Sequence, residues 1–303
     1  MDYTTLGYMN KNKKNHVGFI GLGIMGKPMV KNLLKAEVDV YFYARKKSVI
    51  KEIERLGGTF VPRVVDIPKY TDMLITNLPK TCDVEKIVTG KDGLIKNLNQ
   101  NAIVIDMSTI SPEKTIFINS LLKKKGGFFL DAPVSGGEAG AISGELSIMV
   151  GGDKSAFNKA KKILSIIGEK ITYIGESGSG QICKACNQIL VAKTIHSVSE
   201  IITIAKKSKI NPSIIRTALL AGYGNSKILE IHGKRMISSD YQPGFKLSLH
   251  NKDLKIAKKL LKSLGLSLSG LNKTQNLMDL AEKAGLSELD SSVIHSILEK
   301  TYK

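Results

Sequence analysis

The sequence predicts an α/β region with a doubly wound, mostly parallel sheet, followed by an all-α region entered through one long helix. Three observations carry this expectation. A glycine turn follows the first short apolar run, within HVGFIGLGIMGKPM at residues 16–29. Short apolar runs then alternate with helix-like segments as far as Ile174, which is the pattern of a parallel sheet with crossover helices. From Gly178 onward the apolar spacing becomes helical and stays so. The expected division is a polar tail over residues 1–15, a nucleotide-binding domain over 16–177 and a helical domain over 178–303. A chain of 303 residues is long enough for two domains.

The first turn places Gly21, Gly23 and Gly26 on the pattern G-x-G-x-x-G. Gly21 permits a tight turn, Gly23 leaves room for a pyrophosphate against the backbone, and Gly26 lets the helix pack closely on the strand. The N–H groups and positive dipole end of that helix, expected over residues 24–35, would face the phosphates. The apolar residues Val17, Phe19 and Ile20 before the turn make dinucleotide binding the expectation, over a merely structural strand–helix turn.

The composition narrows the alternatives. The formal net charge of +18 admits a nucleic-acid surface. Yet only five of the positive side chains are arginines, the lysines are dispersed, and there is no tryptophan. That is the composition of solvated lysine faces, so nucleic-acid binding is not expected, although the positive field would help draw in anionic ligands. No stretch reads as a membrane span, and residues 1–15 lack the apolar core of a signal peptide, so a cytoplasmic protein is expected. The three cysteines, Cys82, Cys183 and Cys186, are too few and too odd in number for a disulfide framework. Cys183 and Cys186 form a C-x-x-C without two further ligands, so no metal site is expected. They are read as core cysteines of a helix.

The strands follow in order. Residues 38–44 read as the second strand. A carboxylate at its end would grip the ribose 2′-hydroxyl of NAD(H), but Arg45, Lys46 and Lys47 stand there instead. Cations at that place favour the 2′-phosphate of NADP(H) over NAD(H). Residues 59–61 and 73–76 are strand-like, and Asn77-Leu78-Pro79 forms the turn after the second of these. Residues 103–106 form a strand followed by Ser108 and Thr109. Ser111 and Pro112 then cap and open a helix. A further strand is expected at 128–131. Ligands of such sheets lie beyond the carboxyl ends of the strands, where both turns sit. Residues 131–152 are glycine-rich and irregular, with a strand at 146–150, and Ser135-Gly136-Gly137 offers a hydroxyl and N–H groups to an anion. Residues 171–174 give the last strand signal.

After the turn at Gly178, apolar residues Ile182, Ile189, Leu190, Ile195, Val198, Ile201, Ile202 and Ala205 imply one long helix to about Ser208. Asn211-Pro212 starts another helix, and further helices are expected over 247–264, 273–284 and 292–298. Lys184 lies one turn into the long helix, with Asn187 on the same face. At a boundary cleft such a lysine could protonate a substrate oxygen. Spacing alone does not separate it from the other lysines, which are ordinarily surface charges.

Several motifs recur in order across nearly the whole chain: GFIGLGIMGKPM, NLP, DMSTISPE, DAPVSGGEAGAISGELSIMVGG, GSGQICKACNQ and PGFKLSLHNKDL. Together they resemble the β-hydroxyacid dehydrogenase family, which includes 3-hydroxyisobutyrate dehydrogenase and 2-hydroxy-3-oxopropionate (tartronate semialdehyde) reductase. CNQILVA, NPSIIRTALLAG and PGFKLSLHNKDL resemble the latter branch most. The resemblance implies a Rossmann domain, a long helix and a helical domain that builds a homodimer or homotetramer. It implies that Lys184 is the catalytic general acid in reduction, and that Asn187 helps hold a small carboxylate-bearing substrate. It makes Ser135, Gly136 and Gly137 the anchor of the substrate carboxylate. Gly23, Ile24 and Met25 match the pyrophosphate turn, Leu78, Pro79 and Thr109 match contacts on the nicotinamide side, and Lys252 matches a lysine near the cofactor. Two positions depart from common family patterns. Asn187-Gln188 replaces Asn-Asn, as in the reductase branch, and Ala44-Arg45-Lys46 replaces Asn-Arg-Thr/Ser. That branch often accepts NADH, which opposes the charge reading at Arg45.

The resemblance thus implies hydride transfer between a nicotinamide cofactor and a small 3-oxo acid. 3-Hydroxyisobutyrate dehydrogenase and succinic semialdehyde or glyoxylate reductase are the same-class alternatives. Imine reduction is disfavoured, because that related group usually replaces the lysine that Lys184 matches. A non-catalytic nucleotide-binding or nucleic-acid-binding module is the alternative of a different class.

Overall fold

The computed structural model describes residues 15–302. Of the tail expected over 1–15, all but Asn15 lies outside the described residues. In chain order the elements are β1 His16–Ile20, α1 Gly26–Lys35, β2 Asp39–Tyr43, α2 Lys47–Arg55, β3 Thr59–Phe60, β4 Met73–Thr76 and α3 Thr81–Thr89. Next come β5 Ile103–Asp106, α4 Pro112–Lys124, β6 Phe128–Asp131, β7 Val134–Ser135, α5 Gly137–Ser143, β8 Leu146–Gly151, α6 Lys154–Ile167 and β9 Gly168–Gly175. The remainder is helical: α7 Ser179–Lys207, α8 Pro212–Leu220, α9 Lys227–Ser238, α10 Leu247–Ser263, α11 Ser269–Lys283 and α12 Ile294–Thr301.

Six strands form a parallel sheet in the order β3-β2-β1-β4-β5-β6. β8 then pairs antiparallel with β6 and β7 and parallel with β9. This is a Rossmann-like, mostly parallel sheet, followed by a helical domain that begins with α7. Helices cover both faces, so the central strands are mostly apolar, and all four residues of β5 are buried. Val17 and Phe19 point into one core, shared with Met29, Leu33 and Ile163. Ile20 points into the other, with Val84, Val104 and Ile118. The pleat thus divides β1 between two cores. A third core surrounds the later turns of α7, from Ala192 to Ile202, and includes Met236, Leu254, Met278 and Ile294.

The sheet reverses its order between β1 and β4, which opens a crevice at the strands' carboxyl ends. The parallel registers put Ile20, Thr76, Asp106 and Asp131 in one row along that edge. Close packing under the crevice accounts for two glycines. Gly21 has φ +105°, and a Cβ there would stand 2.2 Å from the Asn77 carbonyl oxygen. A Cβ on Gly26 would stand 2.0 Å from the Gly21 oxygen.

Several expectations need correction. α1 starts at Gly26, not at residue 24, because Ile24 and Met25 are spent in the turn. The stretch 131–152 is more regular than its glycines suggested, since it holds β7, α5 and β8. Cys186 is exposed and Cys183 only half-buried, so neither is a core cysteine. Ile182 and Leu190, read as part of the buried stripe of α7, are 41% and 69% exposed. In its first turns that helix instead buries Gly180, Gln181, Lys184, Ala185 and Gln188. The reason is position: those turns lie against the polar carboxyl ends of the strands, and only the later turns meet an apolar core.

Candidate active site

The first wall of the crevice is the β1–α1 turn. α1 has no side-chain cap and no acidic residue in its first turn. Its orphan N–H groups and dipole are therefore available to an anion. An ideal Cβ on Gly23 meets nothing within 4 Å. An uncapped helix start beside open space fits a pyrophosphate, so this turn suits a dinucleotide. Arg45, with Lys46 and Lys47, is exposed where β2 passes into α2.

The loops after β4 and β5 form the second wall and are tied together. The Leu78 N–H donates to Ser108 Oγ at 2.8 Å, and that hydroxyl donates to Asp106 Oδ1 at 2.6 Å. Thr76 Oγ1 and the Ser108 N–H donate to the same carboxylate oxygen at 2.8 and 3.2 Å. Asp106 is fully buried and its Oδ2 has no hydrogen-bond partner. Burial pushes this carboxyl up to about 6, against the pull of the hydroxyl donors.

α7 is seated on this edge by buried polar groups. Asp131 ends β6, and its two carboxylate oxygens accept the Gly178 N–H at 2.8 Å and the Gln181 N–H at 2.9 Å. The Gln181 side chain donates to Ser108 O at 2.8 Å and accepts the Ile110 N–H at 3.1 Å. Gly180 is required by the approach, since a Cβ there would lie 2.4 Å from the Met149 carbonyl oxygen. One turn further stands Lys184, with 7% of its surface exposed. Burial draws its ammonium down to about 8. The Asp253 charge opposes that fall, and Lys252 adds to it.

α10 closes the arrangement. Lys252 Nζ donates to Pro79 O at 2.9 Å and to Thr109 O at 2.8 Å, and lies 3.0 Å from Asp253 Oδ1. Thus the helical domain holds both loops of the second wall through one side chain. Asp253 Oδ2 accepts Gln188 Nε2 at 2.6 Å, and Gln188 Oε1 accepts Asn187 Nδ2 at 2.8 Å. His250 is fully buried, with Nε2 3.2 Å from the Gln188 carbonyl oxygen, and burial lowers it to about 4, which keeps it neutral near pH 7.

The structure therefore joins Pro79, Thr109 and Lys252 directly, and gathers Lys184, Asn187 and Asp253 around them. Leu78 belongs to the same wall through Ser108. The 135–137 loop stands apart: no hydrogen bond among the described residues links it to Lys184. Ser135 is half-buried on β7, paired with Ser147, while Gly136 and Gly137 have φ +134° and +63° and lead into α5. The loop reaches the strand ends through β8, against which α7 packs. The residues that sequence reading missed are Asp106, Asp131, Gln181, Gln188 as a linker, His250 and Asp253. The available signal was a carboxylate closing each of two buried strands, and the Lys252-Asp253 pair. Among the described residues no helix is long and apolar enough to cross a membrane, and no three His, Cys, Asp or Glu side chains gather to hold a metal.

Comparisons with known proteins agree with this architecture. Residues 16–175 match the family model of the NAD-binding domain of 6-phosphogluconate dehydrogenase. Residues 178–298 match that described as NAD-binding of NADP-dependent 3-hydroxyisobutyrate dehydrogenase. The chain is 41% identical over 283 residues to 2-hydroxy-3-oxopropionate reductase of Escherichia coli (strain K12), covering 93% of this chain and 97% of that one. It is 34% identical to mitochondrial 3-hydroxyisobutyrate dehydrogenase of Rattus norvegicus, over 80% and 75% of the two chains. Among solved structures, Mycobacterium tuberculosis 3-hydroxyisobutyrate dehydrogenase with L-serine superimposes at TM-score 0.87, with 27% identity over 94% of this chain and 99% of that one. A non-catalytic module is thereby set aside: the chain belongs to the 3-hydroxyisobutyrate dehydrogenase-like family of NAD(P)-dependent β-hydroxyacid dehydrogenases.

Proposed function

We propose that the chain reduces 2-hydroxy-3-oxopropionate (tartronate semialdehyde) to the corresponding 2,3-dihydroxy acid, with Lys184 as the general acid. The 41% identity to 2-hydroxy-3-oxopropionate reductase supports the substrate, and the setting of Lys184 carries its role. Lys184 is buried beside Lys252 and Asp253, and its ammonium is lowered to about 8. A lysine so placed is still protonated at neutral pH, yet gives its proton up more readily than an exposed one. The bound dinucleotide supplies the hydride. Lys184 Nζ passes its proton to the carbonyl oxygen as that oxygen gains charge, and takes it back in the reverse direction. The 135–137 loop holds the substrate carboxylate with backbone N–H groups and the Ser135 hydroxyl, which orients the carbonyl. Asn187 holds the substrate beside Lys184.

NADP(H) is the proposed cofactor, because Arg45 and its lysine neighbours follow β2 where a carboxylate would select NAD(H). A homodimer or homotetramer is the proposed working form, supported by the exposed apolar residues Ile182, Leu190 and Ile204 along α7. 3-Hydroxyisobutyrate dehydrogenase activity is the runner-up, supported by the rat relative. A steady-state panel decides between them: tartronate, methylmalonate and succinic semialdehydes and glyoxylate, each with NADH and NADPH. The proposal expects the highest kcat/KM for tartronate semialdehyde with NADPH. A clear preference for methylmalonate semialdehyde would replace it with the runner-up.

A further inference from the structure

The side chain after Asn187 has no part in the chemistry described so far, yet it is 3% exposed and bonded at both ends. A carboxylate only accepts hydrogen bonds. Asp253 Oδ2, 2.6 Å from Gln188, must therefore face the Gln188 amide nitrogen. The other end of that amide is then its carbonyl, Oε1. It faces Asn187 at 2.8 Å, so Asn187 must turn its own nitrogen toward it. Either oxygen of Asp253 would accept alike, so no rotation of the carboxylate reverses this order, and its other oxygen lies 3.0 Å from Lys252 Nζ. The direction of every amide in this row follows from one carboxylate. At its end one Asn187 N–H is engaged by Gln188, so the amide is held with Oδ1 as its acceptor and one N–H remaining.

We infer that Gln188 is a specificity-determining positioning residue: it fixes the polarity of the Asn187 amide so that the site favours an oxo acid with a hydroxyl donor on the carbon beside the reacting carbonyl. This rests on the proposed function, in which Asn187 holds the substrate. An acid with hydrogen or methyl in place of that hydroxyl gives the half-buried Asn187 Oδ1 no donor from the substrate, which weakens its hold. The row needs the length of glutamine. An asparagine at 188 has one methylene fewer and cannot reach both Asp253 and Asn187 in this geometry.

The test is the ratio of kcat/KM for 2-hydroxy-3-oxopropanoate to that for 3-oxopropanoate, in wild type, Gln188→Leu and Gln188→Asn, with thermal unfolding as a check of folding. The Asn variant keeps an amide and the smaller volume change, so it remains informative if the Leu variant folds poorly. Wild type is expected to prefer the hydroxylated acid, and both variants to lower the ratio by about tenfold. General damage to the site would lower both rates together and leave the ratio unchanged. A wild-type ratio retained in folded Gln188→Asn overturns the role of Gln188 while leaving the proposed function standing. A wild-type enzyme that prefers the acid without the hydroxyl, or reduces neither, contradicts the proposed function and this inference with it.

Discussion

At the scale of the residue, Lys184 shows how burial sets one common side chain apart from the rest. In sequence it is one lysine among many, and its position one turn into a helix carries no signal. What distinguishes it is burial, which disfavours its charge, and the nearby Asp253 carboxylate, which opposes that effect. Asp253 is remote in sequence, so no local pattern predicts the pairing. The motif resemblance pointed to Lys184, and its burial near Asp253 supports the proposed role. A pH dependence follows. With an ammonium near 8, the protonated form predominates at pH 7 and declines as pH rises through about 8. The kcat for carbonyl reduction is expected to fall along that limb, and the kcat for hydroxy acid oxidation, which needs the neutral amine, to rise along it. Profiles of the two directions that share a slope of the same sign would contradict this assignment. At the other end of the crevice, Arg45→Ala is expected to cut affinity for NADPH about tenfold while changing NADH affinity little, as judged by titration of both cofactors.

At the scale of the element, the strands and the glycine turn were legible because their causes are local. Apolar runs bounded by turns mark buried parallel strands, and G-x-G-x-x-G marks a close approach that Gly21 and Gly26 make visible in the structure. The start of α7 was misread for the opposite reason. Its buried residues Gln181, Lys184 and Gln188 are polar, and their partners lie elsewhere: Gln181 binds Asp131 from 50 residues away and Gln188 binds Asp253 from 65. Hydrophobic periodicity cannot find a face buried by hydrogen bonds, so Ile182 and Leu190 were assigned inward. The seat of α7 makes two predictions for stability. Asp131→Ala leaves the Gly178 and Gln181 N–H groups unpaired, and is expected to cost about 2–3 kcal/mol in chemical denaturation. Asp106 and Asp131 are both raised to about 6, so they bind more protons folded than unfolded between about pH 4 and 6. Their contribution is fully present below pH 4 and is lost as pH rises through about 6. In Asp106→Asn the buried charge is gone, and the fall in Tm between pH 4 and 7 is expected to be shallower than in wild type. An unchanged slope would show that Asp106 titrates as an exposed carboxylate does.

At the scale of the whole molecule, the candidate site belongs to neither domain alone. The Rossmann-like sheet supplies the crevice, the uncapped helix start and the row of strand ends. The helical domain supplies Lys184 and Asn187 from α7, and Lys252 and Asp253 from α10. Lys252 joins the halves by reaching the carbonyls of Pro79 and Thr109 in both crevice loops. The order of these parts along the chain was readable; their convergence was not, since it depends on how α10 folds back over the first turns of α7. In the proposed function this convergence makes Lys184 the proton donor of an NAD(P)-dependent reduction. The most direct measurement compares wild type with Lys184→Ala, following kcat for tartronate semialdehyde and, in parallel, cofactor affinity by fluorescence titration. Cofactor binding within about twofold of wild type and a kcat lower by about 10²–10⁴-fold are expected. A Lys184→Ala enzyme with near wild-type kcat would contradict that role.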